Sequence, residues 1–559
     1  MTSTRLADLA ARYWTFQRDE YPISAIQAGQ PGNSNLLLRE ASADHDRRAA
    51  WAREALAELK AIDIAALGVD DRATHALIER ELGLLVEAVE VDAGLRPVIY
   101  PWSPDFTLNY WAQATALATL EEARIYVTRL RTVPAALDGL EEALAAGIAR
   151  GYRYSRLVIE RAAAQVRGTL AVPPEAHPFA APLVRIAGRS PVLAALAEEG
   201  KKLVAELLYP ALHAYADFIE TELGRVARDS LACTDDLDGE AYYRHMIRQA
   251  TTLDLEPDEI HSLGLSEVAR VTAEMVEVAG GDLTAFREKL RGDNQQFAES
   301  GEALREQIEI LSKRIDARIP EFFGRVPRTT YGIRSIPEAV ADKMPPAYAQ
   351  PNPADGSAAG VHWITSLPGK CPRYMHLPLA LHEAWPGHLM HLALIQEMEH
   401  LPDFRRYGAL RYSACLEGWA LYSERLGEEM GFYDTPEKTY GRLEMEMWRA
   451  VRLVVDTGIH AKGWSRDQAI AYFEQHMAMP RSTIEAEVDR YIGWPGQALA
   501  YQLGNLKFRE LRERCETQLG DRFRIRDFHD ALMASGPVTL PVLDDLMQSW
   551  LEANQAKAA

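Results

Sequence analysis

Apolar side chains recur every three or four positions along most of the first half of the chain. They stand among Ala, Leu, Glu and Arg, which are residue types that favour helices. Because this spacing places the apolar residues on one face of a helix, it predicts a series of amphipathic helices. The clearest segments are 5–20, 44–62, 72–91, 120–166, 191–228 and 241–279.

The pattern changes beyond the middle of the chain. Residues 323–368 are rich in Pro, Gly, Thr and aromatic residues, and two short stretches, 329–333 and 360–365, have the composition of strands. We expect a small β-sheet here, whose edge can hold an extended substrate by backbone pairing; an irregular connection is the alternative. The sequence thus predicts a mainly α-helical protein, with a scaffold lobe over 1–319 and a catalytic lobe over 320–559 in one continuous unit.

A candidate metal site lies at 381–391, where the sequence reads Leu-His-Glu-Ala-Trp-Pro-Gly-His-Leu-Met-His. Zinc hydrolases often carry H-E-x-x-H, in which two His four positions apart on a helix share the metal. Here His388 follows His382 by six positions, which turns the two rings about 120° apart on a regular helix. Pro386 lacks an N–H, and Gly387 tolerates unusual backbone angles. We expect a bulged turn that brings the two His together; a loop with two unrelated His is the alternative.

A third ligand is expected downstream, where Glu417 lies in an apolar segment that resembles a buried helix. A buried carboxylate is tolerated when it is paired or binds a metal, and two His plus one Glu with an open fourth position form a common catalytic zinc set. Glu424 lies two turns further along the same face. It is predicted to orient a ligand His from behind, and a solvated surface Glu is the alternative.

Two later segments offer donors for a developing oxyanion. Asp456 and His460 are four positions apart on a predicted buried helix, so they face the same side. Either they form a core pair, or Asp456 sets the tautomer of His460, which then donates to the substrate. The hydroxyls of Tyr491 and Tyr501 can serve as well, although a half-buried packing role is the alternative for each.

Composition narrows the classes of partner and compartment. The net charge of −20 over 559 residues argues against nucleic acid and against an anionic membrane as a partner. The four Cys are far apart and include no C-x-x-C pair, so neither a disulfide framework nor a Cys-based zinc site is indicated. There is no apolar leader near the start and no long uncharged apolar window. We therefore expect a cytoplasmic protein.

Several of these segments together resemble the bacterial family known as domain of unknown function 885. They are 382–388, 417–422, 452–460 and 495–501, and a helix-opening segment at 253–265 is also similar, so the resemblance spans most of the chain. This family is grouped with the gluzincin-type metallopeptidases. The resemblance implies a mainly helical, two-lobed, zincin-like fold with a deep central cleft, similar to the angiotensin-converting-enzyme and oligopeptidase group.

The resemblance also implies a ligand set and a base. A zinc ion (Zn2+) would be bound by His382, His388 and Glu417, with Glu383 as general base on a zinc-bound water. The chain departs from the family where His-His-Leu-Gln usually follows the Pro-Gly pair, because it has His-Leu-Met-His instead. The last residue of this segment, His391, can therefore compete as a ligand or replace a Gln that supports the ligands.

Substrate contacts are implied in the same way. Arg490 and Tyr491 resemble the Arg-Tyr step that carries the oxyanion tyrosine of the converting-enzyme group, which ranks Tyr491 ahead of Tyr501. Arg490 and Gln497 are assigned to substrate binding. The expected function is zinc-dependent hydrolysis of peptide bonds in short peptides. Two alternatives remain, a hydrolase of non-peptide amides with the same zinc site and a peptide-binding helical protein with a vestigial site.

Overall fold

The computed structural model describes residues 4–342 and 344–556. These residues form 28 α-helices, labelled α1 to α28 in chain order, and one small β-sheet. The first 17 helices are α1 Thr4–Glu20, α2 Pro22–Gln27, α3 Ser42–Lys60, α4 Val69–Glu90, α5 Pro104–Ala114, α6 Leu120–Leu130, α7 Val133–Arg150, α8 Arg156–Leu170, α9 Ala181–Ile186, α10 Pro191–Leu203, α11 Tyr209–Phe218, α12 Gly224–Val226, α13 Gly239–Thr251, α14 Pro257–Val278, α15 Leu283–Gly292, α16 Gly301–Asp316 and α17 Ile319–Phe322. The remaining helices are α18 Glu338–Ala341, α19 Arg373–Glu383, α20 His388–Gln396, α21 Asp403–Tyr407, α22 Ser413–Glu429, α23 Pro436–Lys462, α24 Arg466–His476, α25 Arg481–Gly493, α26 Ala500–Leu519, α27 Ile525–Met533 and α28 Leu540–Ala556.

The predicted mainly α-helical class is confirmed. The first three predicted helices correspond to α1, α3 and α4, with shifts of a few residues at their ends. The predicted helical segment 120–166 is divided into α6, α7 and α8, because Thr119 caps the start of α6 and Gly151 ends α7 in a left-handed conformation with φ 108°. The segment from 191 is one long helix, in which π-helical turns at Val204–Leu208 and Ile219–Leu223 join α10, α11 and α12.

The β-sheet has three strands in the order β1-β3-β2, namely β1 Tyr331–Ser335, β2 Ala347–Gln350 and β3 Gly360–Ile364. Strand β3 is central and pairs parallel to β1 and antiparallel to β2. Strands β1 and β3 were predicted, whereas β2 was not. The sheet lies against the helices of the candidate metal site, because α19 contacts β2 and α20 contacts both β2 and β3.

Helix packing positions the segments that carry the candidate ligands. Helix α19 packs on α22 and α23, and α22 crosses α26 at close range. At that crossing a Cβ on Gly418 would lie 2.4 Å from the carbonyl carbon of Gly504, so neither position has room for a side chain. The two main apolar clusters each combine residues from both sides of residue 319. The proposed division into 1–319 and 320–559 therefore stays a prediction, within a core that both segments share.

Candidate metal centre

The metal-site motif is divided between two helices. Helix α19 ends at Glu383 and α20 begins at His388, with a turn over 384–387 between them. The ring centroids of His382 and His388 lie 4.8 Å apart, with the ring planes at 90°. The expected bulge inside one helix is thus replaced by a break between two helices, and the two imidazoles are adjacent as predicted.

Two contacts hold this turn. Gly387 packs against the backbone of α19 so closely that a Cβ at this position would lie 1.9 Å from the carbonyl oxygen of His382. The indole Nε1 of Trp419, on α22, donates a hydrogen bond to the carbonyl oxygen of Pro386 across 2.8 Å. The first contact requires glycine, and the second ties the turn to the helix that carries Glu417.

Three side chains converge on one point. The Oε2 atom of Glu417 lies 3.4 Å from Nε2 of His382 and 3.4 Å from Nε2 of His388. In a tetrahedral zinc site with ligands about 2.0–2.1 Å from the metal, neighbouring ligand atoms lie about 3.4 Å apart. The predicted ligands therefore have the types that such a site requires, and the two distances from Glu417 match it.

Glu383 belongs to the same cluster. One ligand atom from each of His382, Glu383 and His388 lies within 4.8 Å of the others. The side chains of Glu417 and His388 are 21% and 13% exposed, whereas His382 and Glu383 are buried. Two side chains of the cluster are therefore partly exposed to solvent and two are buried.

The electrostatics of this cluster favour positive charge at its centre. The Nδ1 atom of His382 lies 2.8 Å from Oε1 of Glu424, which is 1% exposed. Burial alone lowers the pKa of His382, but the carboxylates of Glu417 and Glu424 outweigh it and raise the pKa to about 9. Burial raises the pKa of Glu417, yet the two imidazoles hold it well below its usual range. The bond to Glu424 leaves Nε2 of His382 free to bind a cation.

His391 packs in the core next to Trp419. It is 1% exposed, its ring packs against Trp419 at 5.9 Å between centroids, and neither ring nitrogen has a hydrogen-bond partner among the described residues. Burial lowers its pKa to about 3, and the neighbouring His388 adds to the effect. His391 is therefore a neutral core side chain in this structure.

Asp456 and His460 each have other partners. The N–H of Cys233 donates to Nδ1 of His460 across 3.1 Å, and Nε2 of His460 lies 2.9 Å from the carbonyl oxygen of Tyr491. Asp456 accepts from the hydroxyl of Tyr243 at 2.6 Å and from the N–H of Gly496 at 3.1 Å. Both side chains are fully buried. Their hydrogen bonds thus connect α23 with α13 and α25. Asp456 and His460 do not form a hydrogen bond with each other among the described contacts.

The two candidate tyrosines differ in their surroundings. The buried hydroxyl of Tyr491 accepts from Nε of Arg452 at 2.9 Å and donates to Oε2 of Glu487 at 2.6 Å, so its proton is committed. Tyr501 is partly exposed, and Arg452 lies over its ring at 4.3 Å from the centroid. Unlike Tyr491, Tyr501 has no hydrogen-bond partner for its hydroxyl among the described side-chain contacts.

The predicted substrate-binding residues contact each other. Nη2 of Arg490 donates to Oε1 of Gln497 across 2.5 Å, and Nη1 of Arg490 lies 3.3 Å from Glu487. Both Arg490 and Gln497 are partly exposed. They lie next to Tyr491, whose ring is 5.7 Å from the guanidinium of Arg490.

Two residues near the centre were missed by sequence reasoning. Arg449, which is buried on α23, lies 3.9 Å from Glu424. His362 of β3 is fully buried without a described partner for either ring nitrogen, and burial together with the charge of His382 lowers its pKa to about 3. Arg449 had no clear sequence signal, because α23 carries many other charged residues. His362 was visible as the polar residue of a predicted strand.

The fold and this site define a mainly helical protein with a small three-stranded sheet and a buried cluster of His and Glu. A family model described as "Bacterial protein of unknown function (DUF885)" matches residues 22–547. Because the match covers most of the chain, the chain belongs to this family. None of the curated proteins is similar enough to count as a match.

Solved structures share the fold. One, described as a "putative lipoprotein" from Colwellia psychrerythraea, is 27% identical, covers 99% of this chain and 100% of that chain, and superposes with a TM-score of 0.91. Another, described as a "putative lipoprotein of unknown function" from Shewanella oneidensis, is 17% identical, covers 97% and 99%, and has a TM-score of 0.75. The second similarity shows the fold alone.

The expectation of a cytoplasmic location is wrong on this comparison. The similar protein from Colwellia psychrerythraea is described as a "putative lipoprotein", and lipoproteins are held at a membrane surface by their lipid. The expectation rested in part on the separated cysteines, but the four thiols are buried and free, and buried thiols are inert in either compartment. No helix in the described part of the chain combines the length and apolar character that a membrane span needs.

Proposed function

We propose that the protein is a zinc-dependent hydrolase of peptide bonds in short peptides. The observation that carries this proposal is the equal separation of 3.4 Å between Oε2 of Glu417 and the Nε2 atoms of His382 and His388. Two neutral imidazoles and one carboxylate are the donor types that zinc prefers in catalytic sites. The resemblance of the His-Glu and Glu417 segments to those of gluzincin-type peptidases implies a zincin-like, two-lobed fold, which is part of the proposal.

The metal-binding residues and the base have separate roles. His382, His388 and Glu417 would hold the zinc ion, and the bond from Glu424 to Nδ1 of His382 would leave Nε2 available to it. When bound, zinc supplies a Lewis acid that polarises a carbonyl group and makes water more acidic. Glu383 lies beside the ligands with its carboxylate in the cluster. It accepts a proton from the attacking water and returns it to the leaving amine.

The oxyanion donor is assigned to Tyr501. A donor must be free to strengthen its hydrogen bond as charge develops on the carbonyl oxygen. The hydroxyl of Tyr491 is already committed to Glu487, whereas Tyr501 is partly exposed and its ring is fixed on the guanidinium of Arg452. His460 is excluded from this role by its two backbone hydrogen bonds.

The similar structure from Colwellia psychrerythraea, described as a "putative lipoprotein", supports a location at a membrane surface outside the cytoplasm. The chain's net charge of −20 keeps it from binding an anionic membrane through its own surface. The proposed location does not alter the roles of the residues at the metal centre.

Metal analysis combined with hydrolysis tests the proposal. Purified protein should contain about one zinc per chain and should cleave members of a short-peptide library. Glu383→Gln should retain zinc and lose about 1,000-fold or more in turnover, as expected when a general base is removed. Glu399→Gln, at an exposed position after α20, is the matched control and should behave as the wild type.

The same experiment separates the alternatives. Cleavage of acyl-amide substrates without cleavage of peptides would identify a non-peptide amide hydrolase. Bound zinc without hydrolysis of either class would indicate a vestigial site. Wild-type peptide turnover by Glu383→Gln would contradict the role given to Glu383.

A further inference from the structure

Three arginines form a cationic cluster next to the metal centre. Arg449 and Arg452 lie on α23, and Arg490 lies on α25. Nη2 of Arg449 is 3.9 Å from Oε1 of Glu424, the carboxylate that orients His382. The cluster therefore extends from the support of a metal ligand to the partly exposed Arg490.

These positive charges have few carboxylate partners. Arg452 and Arg490 share one carboxylate, Glu487, at 3.1 Å and 3.3 Å respectively. The nearest acid to Arg449 is Glu424, which is already bonded to His382. Burial lowers the pKa of Arg449, and the neighbouring charge of Arg452 adds to that effect. Glu487 is thus the one described carboxylate within 4 Å of these three guanidinium groups that is not bonded to a candidate metal ligand.

Several donors of the cluster are buried without an acceptor. Nε of Arg449, Nη1 of Arg452 and Nε of Arg490 have no hydrogen-bond partner among the described residues. Arg449 and Arg452 are 5% and 3% exposed, so water does not readily replace the missing acceptors. Leaving a buried charged donor unpaired is unfavourable, and a bound anion removes that cost.

Aromatic rings cover the faces of the guanidinium groups. Trp448 lies under Arg449 at 5.0 Å and under Arg452 at 4.7 Å, and Tyr501 covers Arg452 at 4.3 Å. This stacking holds the planes in position and leaves the N–H edges for hydrogen bonds. Arg452 and Arg490 each keep one nitrogen without a partner, because Tyr491, Glu487 and Gln497 accept from the others. The two oxygens of a carboxylate can therefore be bound by one N–H from each of two arginines.

We infer that Arg452 and Arg490, supported by Arg449, bind the C-terminal carboxylate of the peptide substrate and direct cleavage to bonds near that end. This inference rests on the proposed peptidase function, because it names the substrate group that the same site recognises. Arg490 is the most exposed of the three, since its side chain is 16% exposed, and it is bonded to Gln497. Every linear peptide carries a terminal carboxylate, whereas an acidic side chain is present only in some.

The test compares each peptide as its free acid and as its C-terminal amide. N-acetylated pentapeptides are used so that the amino end carries no charge, and one pair contains an internal Glu. The wild type should show a kcat/KM about 100-fold higher for the free acids, the scale expected for a buried charged hydrogen bond. Mass spectrometry should identify products released from the C-terminal end. The amide with internal Glu should be as poor a substrate as the other amides.

Arg490→Gln should reduce the preference for the free acid to less than about 10-fold. Because this preference is a ratio measured on one protein sample, partial loss of folded protein does not change it. Arg481→Gln, at an exposed position on the same helix with Glu474 and Glu485 as partners, is the matched control and should keep the wild-type ratio.

The outcomes separate this inference from the proposed function. Equal cleavage of acids and amides, or efficient cleavage of the amide with internal Glu, would overturn the terminal-carboxylate site while leaving a peptidase. An unchanged acid preference in Arg490→Gln would overturn the assignment as well. Zinc-containing wild type that cleaves no peptide in either form would overturn both the inference and the proposed function.

Discussion

The imidazole of His382 is oriented by Glu424, whose Oε1 atom lies 2.8 Å from Nδ1 of the ring. The carboxylate is almost completely buried, so it acts in a region of low dielectric constant, where a charge-assisted bond is strong. It fixes the ring so that Nε2 faces Glu417. Through this contact, the position of α22 determines how the imidazole of His382 is oriented at the candidate metal centre.

Glu424→Gln is expected to lower zinc affinity by about 10- to 100-fold, the usual effect of removing a partner behind a ligand His. The amide keeps the shape of the side chain but loses its charge, so the ring is oriented less firmly and is less basic. Competition with a chromophoric chelator measures the affinity. Glu399→Gln is the control, and an affinity equal to that of the wild type in Glu424→Gln would show that the contact has no role in metal binding.

Gly387→Ala is expected to disturb the turn between α19 and α20. The added Cβ would lie 1.9 Å from the carbonyl oxygen of His382, so the backbone must shift. We expect a loss of about 1–3 kcal/mol in the free energy of unfolding, as for other overpacked sites, together with less bound zinc. Thermal unfolding and metal analysis measure the two effects. Gly369→Ala, where nothing lies within 4 Å of the added Cβ, should change neither.

His391→Leu tests whether His391 is a ligand. Since its ring is buried without a described hydrogen-bond partner, an apolar side chain should maintain the thermal midpoint or raise it, and zinc content should stay at that of the wild type. His388→Leu, the same substitution three residues earlier, should abolish zinc binding. Loss of zinc in both variants would assign His391 to the ligand set.

The raised pKa of Asp456 should make the free energy of unfolding depend on pH. Burial raises its pKa to about 7 despite the hydrogen bonds from Tyr243 and Gly496, compared with about 3.9 in an unfolded chain. Between these values the folded protein binds one more proton than the unfolded chain. The contribution of Asp456 to stability is therefore fully present below pH of about 4 and is lost as the pH rises to about 7.

Asp456→Asn should lack this dependence. The stability of the wild type relative to the variant should fall between pH 5 and pH 7 by at most about 1.4 kcal/mol per pH unit. Thermal midpoints of both proteins at several pH values measure the difference. A difference that stays constant across this range would show that Asp456 is ionised throughout.

Much of the fold was predictable because each surface helix buries one apolar face. The proximity of the candidate ligands was predictable for a related reason, since Glu417 is a carboxylate in an otherwise apolar segment. The break before His388 was not, because it depends on the contact of Gly387 with the carbonyl of His382 and on the bond from Trp419. Both contacts join parts of the chain whose proximity only the three-dimensional structure shows.

The cationic cluster was hidden for a different reason. Helix α23 is buried on all sides, and it carries charged residues inside the protein. The sequence of α23 therefore does not alternate between an apolar buried face and a polar exposed face. For this reason Arg449 could not be recognised as a buried residue from the sequence. Strand β2 was missed because Ala347–Gln350 is short and its alternation is weak.

A crystal structure of purified protein, with an anomalous difference map at the zinc absorption edge, tests the central claim most directly. If His382, His388 and Glu417 form a zinc site, the map should show one zinc peak per chain. The peak should lie about 2.0–2.2 Å from Nε2 of His382, Nε2 of His388 and a carboxylate oxygen of Glu417. His391 should lie outside the coordination sphere. Absence of a peak from zinc-supplemented crystals, or a metal bound without Glu417, would contradict the proposed zinc site.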